Sequence, residues 1–152
     1  MSVPPEKPGR IVVGIDGSQS SQHALRWAVR QAEMTHSVVN AVIAWECPPL
    51  YGSIGWSEGP RELAAHLKEQ ARTTLDETIT KVVGARNAAK VETTVAYGTA
   101  AAALLEAARD ASLLVVGSRG HGGFTGVLLG SVSQHCTQHA PCPVVIVRGH
   151  GQ

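Results

Sequence analysis

Aromatic side chains are scarce, at 4% of 152 residues, so an aromatic-rich β-sandwich is a poor fit. Charge is also sparse: Asp, Glu, Lys and Arg make up 16%, and the formal net charge is +1. With no basic run, neither nucleic acid nor an anionic membrane is expected as a partner. No apolar stretch reaches the ~20 residues that a membrane helix needs. The three cysteines, Cys47, Cys136 and Cys142, show no Cys-x-x-Cys spacing. An odd count of that kind argues against a disulfide framework or a zinc knuckle, which leaves small buried or half-exposed thiols. Several catalytic signatures are missing as well. There is no P-loop with its Gly-Lys-Ser or Gly-Lys-Thr ending. No Gly-x-Gly-x-x-Gly follows the first apolar run, and Gly-x-Ser-x-Gly is absent. No nucleophile stands beside a base.

What the chain does have is aliphatic. Its hydrophobic fraction is 43%, mostly Ala, Val and Leu. That suits helices on a buried parallel sheet in a single domain. β-branched runs predict strands at 10–15, 38–45, 91–97, 113–117 and 144–147. Helical spacing of apolar residues predicts helices at 19–35, 61–83, 99–110 and 131–138. Asp16-Gly17-Ser18 supplies turn and N-cap chemistry, Pro60 fits a first helical turn, and Gly84 an ending. Strands that alternate with helices imply an α/β fold with right-handed crossovers. In such open sheets ligands bind at the carboxyl ends of the strands, at the switch point. Residues 1–9, which lack an apolar signal core, read as a disordered lead-in, and 149–152 as a tail. The expected location is the cytoplasm.

The most informative stretch follows the fourth run. Gly117-Ser118-Arg119-Gly120 is separated by nine residues from Gly130-Ser131, which opens a helix. Glycines let backbone amides approach a ligand. A helix start presents unpaired N–H groups and partial positive charge. Together they suit an anion, most often a phosphate, while a surface loop with a cap is the plainer alternative.

This Gly-x2-Gly-x9-Gly-Ser pattern resembles the nucleotide motif of the universal stress proteins, in their ATP-binding branch. Ile11-Val12-Val13-Gly14-Ile15-Asp16-Gly17-Ser18 looks like that family's first strand and turn, and Ala140-Pro141-Cys142-Pro143-Val144-Val145-Ile146-Val147 its last strand. The resemblance implies an adenine nucleotide alpha hydrolase-like fold over 10–148. That is an open five-stranded parallel sheet, order 3-2-1-4-5, with helices on both faces. Asp16 and Gly117 then meet at one crevice.

The resemblance also implies a set of ATP-binding positions, with magnesium optional. From the first strand come Gly14, Ile15 and Asp16. Asp16 suits ribose, adenine or a phosphate-bound metal, or simply a turn. Ala44 and Trp45 match the place where the family reads adenine through main-chain groups, although Trp45 is bulky there and fits a core aromatic equally well. From the fourth strand and its loop come Val116, Gly117, Arg119, Gly120 and His121, and from the helix start Gly130, Ser131, Val132 and Ser133. Hydroxyls of Ser131 and Ser133 add donors. His135 and His139 share a helix face at metal-ligand spacing, but without a third ligand they read as a solvated face.

The expected function is a nucleotide-responsive stress switch with little turnover. A nucleotide-dependent enzyme on the same scaffold and a cyclic AMP sensor remain alternatives. Residues 50–59, with Tyr51, Trp56 and three glycines, are expected to close over the site. An apolar fifth strand at the sheet edge, together with the resemblance, points to a homodimer.

Overall fold

Alternating strands and helices build the expected sheet. The computed structural model describes residues 7–48, 59–119 and 129–149. Most of the expected closing segment, Gly120 and His121, most of the lead-in and part of the tail lie outside the described residues. The strands are β1 (Arg10–Gly14), β2 (Val38–Trp45), β3 (Glu92–Tyr97), β4 (Leu113–Gly117) and β5 (Val144–Val147). They form one sheet in the order β3-β2-β1-β4-β5, and every pairing is parallel.

The helices are α1 (Gln19–Thr35), α2 (Gly59–Val83), α3 (Ala85–Ala88), α4 (Ala100–Ala107) and α5 (Ser131–His139). The short α3 is not foreseen by the apolar spacing. The helix expected over 99–110 ends at Ala107 and tightens into a 3-10 turn, Ala108–Asp110. Ser18 caps α1 by accepting the Ser21 N–H, and Thr99 caps α4 by accepting the Ala102 N–H.

Alternation along each strand sends side chains to two cores. Ile11, Val13, Val39, Ala41, Ile43 and Val115 pack with Ala24, Leu25 and Ala28 of α1 and with Leu75 and Ile79 of α2. Val12, Val42, Leu114 and Val116 pack with Leu104 of α4 and Cys136 of α5 on the other face. Strands buried on both faces explain why these runs read as continuously apolar. Each fully buried Leu or Val adds about 1.5–3 kcal/mol. β5 is only half-buried throughout, as an edge strand must be.

Candidate functional site

The candidate site lies where β1 and β4 run side by side. Ile11, Val12 and Val13 pair with Leu113, Leu114 and Val115, so both strands end at the same level. Beyond that point one strand turns into α1 and the other into the glycine loop, and the candidate crevice is the region past the two strand ends. Ile15 still donates its N–H to the Val42 carbonyl at 2.8 Å, and then the chain turns. The Asp16 carboxylate accepts the Ser18 N–H at 2.9 Å, and Gly17 takes φ 83°, a value that glycine adopts without strain. Asp16 is therefore a turn residue and also stands at the crevice. The two roles do not exclude each other.

The exit of β4 is pinned from three sides. The Ser118 N–H donates to the Val147 carbonyl of β5 at 3.0 Å. The Ser118 carbonyl accepts the Gly130 N–H at 2.8 Å, which closes the ends of the glycine loop on each other. The Arg119 N–H donates to Ser20 Oγ of α1 at 3.2 Å. The Gly117 carbonyl accepts the Ser133 hydroxyl of α5 at 2.6 Å. Gly117 itself has to be glycine for lack of room, because a Cβ there would lie 2.8 Å from the backbone of Ser20.

These bonds aim the start of α5 at the strand ends. Gly130 is the N-cap in extended backbone and supplies no side-chain cap. The first helical bond runs from the Gln134 N–H to the Gly130 carbonyl at 3.0 Å. The amides of Ser131, Val132 and Ser133 precede that bond and have no partner within the helix. Three N–H groups and the positive end of the helix thus meet at the crevice. Ser131 is exposed and can add its hydroxyl, whereas Ser133 is 3% exposed and its proton is committed to Gly117. Ser133 therefore contributes its amide and ties α5 to β4. Val132 and Ala44, both half-buried, pack on the core that contains Val116.

β2 divides its two candidates. In a parallel ladder the N–H and C=O of one residue point to the same neighbour, and successive residues alternate. The Trp45 carbonyl accepts the Gly98 N–H at 2.8 Å, so Trp45 points to β3. Ala44 then points to the β1 side, beyond the last pair, Gly14–Val42. Its main-chain donor and acceptor face the crevice and suit the edge of a base. The Trp45 ring turns to the opposite face, packs on the α1/α2 core and meets Tyr97 edge-on at 5.0 Å. Its bulk does not fill the crevice. Gly14 leaves space for Leu104 of α4, whose methyl carbon would lie 2.9 Å from an added Cβ.

Away from the crevice, His135 and His139 stand exposed with ring centroids 4.6 Å apart. Among the described residues no three His, Cys, Asp or Glu side chains gather as a metal site. Cys136 points inward, and burial pushes its thiol pKa up. Arg119 is exposed at the loop mouth. Ser20 is the contributor that spacing did not reveal, since a second serine in a helical first turn carries no local signal.

Known proteins resemble this chain in sequence and in fold. A universal stress protein of Mycolicibacterium smegmatis is 33% identical over 149 residues, 93% of this chain and 49% of the relative. The chain spans about half the length of the curated relatives it matches. Among solved structures, a universal stress protein from Lactobacillus plantarum superposes with a TM-score of 0.66 at 22% identity, covering 95% of this chain and all of that one. A universal stress protein solved in complex with cAMP reaches 0.57 at 27% identity, over 91% of this chain and 95% of that one. The sequence pattern of the universal stress protein family matches residues 8–148, and the sheet order agrees with it: the chain belongs to that family.

Proposed function

We propose that the chain binds ATP in the crevice between Asp16 and the start of α5, and that occupancy acts as a stress-response switch. One observation carries the reading. The three first-turn amides of α5, which have no partner within the helix, are held against the ends of β1 and β4 by the Gly130–Ser118 and Ser133–Gly117 hydrogen bonds. Phosphates suit those amides, Ala44 suits the base edge, and Asp16 suits the ribose. Magnesium would accompany the nucleotide phosphates. Turnover is expected to be slight, because the described residues of the crevice place no base beside a nucleophile. Three free thiols suit the reducing cytoplasm as the place of action.

A cyclic AMP sensor is the second reading, favoured by the relative solved with that ligand. As for partners, β5 presents the outward N–H and C=O groups of Val144 and Ile146 at the sheet edge, because the Pro143 and Val147 carbonyls are bonded to the β4 side. A second copy pairing there would give a homodimer. Among the described residues no helix is long and apolar enough to cross a membrane.

Denaturing the purified protein and identifying the released small molecules by mass spectrometry tests the proposal. ATP or ADP is the expected finding. Cyclic AMP alone would favour the second reading. No nucleotide, together with no calorimetric response to ATP, would remove the proposal.

A further inference from the structure

The first turn of α1 touches the start of the glycine loop through Ser20. Ser20 Oγ accepts the Arg119 N–H at 3.2 Å, ninety-nine positions along the chain. The Ser20 backbone also fills the space that a Gly117 side chain would need. Both contacts fall on the exit of β4, and two further bonds pass from that exit to α5. Ser118 accepts from Gly130, and Gly117 accepts from Ser133. A mechanical path therefore runs from α1 through residues 117–119 to the amides of Ser131, Val132 and Ser133.

We propose that Ser20 is a positioning residue for phosphate binding: its hydroxyl holds the β4 exit against α1 and so sets where the α5 amides stand. Ser20 needs no contact with ligand for this. Its position also links the Asp16 turn to the phosphate side, because α1 begins directly from that turn: Ser18 caps the helix, and the Ser21 hydroxyl donates to the Ser18 carbonyl at 2.9 Å. One rigid first turn thus serves both ends of the ligand. The Arg119 amide, committed to Ser20, is not a phosphate donor. The proposal rests on the nucleotide reading above.

Ser20→Ala removes the acceptor and keeps the helix. ATP affinity should fall about three- to tenfold, the loss expected for one neutral hydrogen bond. Adenosine, which lacks phosphates, should bind the variant as it binds the parent. Ser20→Thr keeps the hydroxyl and should restore ATP binding. In the ligand-free protein the Arg119 amide should exchange with solvent faster in Ser20→Ala than in the parent, read by NMR. Unchanged ATP affinity, or equal losses for ATP and adenosine, would overturn the positioning role. A parent protein that binds neither ligand would overturn the nucleotide reading and the phosphate role with it. Arg119 exchange would then still decide separately whether Ser20 holds the β4 exit.

Discussion

Replacing Gly117 with Ala probes the tightest packing at the site. The new methyl would lie 2.8 Å from the Ser20 carbonyl carbon and oxygen, and closer still to its hydroxyl. Those carbonyl atoms are helix backbone and cannot swing aside. Moving them would drag the first turn of α1 and its bonds, Ser18 N–H to Asp16 at 2.9 Å and Ser21 N–H to Ser18 at 3.1 Å. Overpacking of this sort costs about 1–3 kcal/mol. In a domain of this size that lowers Tm by roughly 2–12 °C. Gly14→Ala is the matched control, because its methyl meets only the flexible end of Leu104, at 2.9 Å. It should cost less than about 1 kcal/mol, since a side-chain end can rotate away. Thermal unfolding followed by circular dichroism measures both variants. If Gly117→Ala melts as the parent does, or no lower than Gly14→Ala, the close approach of α1 to β4 is wrong.

Three other outcomes follow from the same geometry. Ile146→Pro removes an outward N–H of β5 and should convert a dimer to a monomer by light scattering, whereas a monomeric parent at micromolar concentration would refute edge pairing. Burial raises the Cys136 thiol above its ordinary 9.0, so the folded state holds that proton more tightly than the unfolded chain. Its contribution is complete below the unfolded pKa and is lost as pH rises through the folded one. The Tm decrease between about pH 8 and about pH 10 should therefore be smaller in Cys136→Ala than in the parent. Phosphate release from ATP should fall far below the typical enzyme range of ~1–1000 per second. A rate of about one per second that is lost in Ser131→Ala would favour the enzyme reading instead.

Much of the fold was legible because the strands are buried on both faces and the helices carry regular apolar stripes. β2, β4 and β5 fall where the β-branched runs place them, and α1 where Ala24, Leu25, Ala28 and Ala32 repeat. Sheet order did not come from periodicity; it came from the resemblance carried by the glycine motif. The short α3 escaped notice because four residues after Gly84 show no stripe. At the site, local spacing marked Gly117, Gly130 and Ser131 but could not assign directions. The inward turn of the Ser133 hydroxyl depends on the Gly117 carbonyl, sixteen residues away. The packing of the Trp45 ring on the α1/α2 core and against Tyr97 depends on residues distant along the chain. Ser20 escaped for the same reason, since its partner Arg119 lies ninety-nine positions along the chain.

Calorimetric titration of ATP into the parent protein and into Gly130→Glu tests the central claim most directly. Gly130 has φ −70° and ψ 166°, an extended conformation that glutamate adopts without strain. The new carboxylate would stand at the N-terminus of α5, where a phosphate would otherwise sit. The account predicts ATP binding by the parent, none by the variant, and an unchanged circular dichroism spectrum. Equal ATP affinity in the two proteins would contradict it.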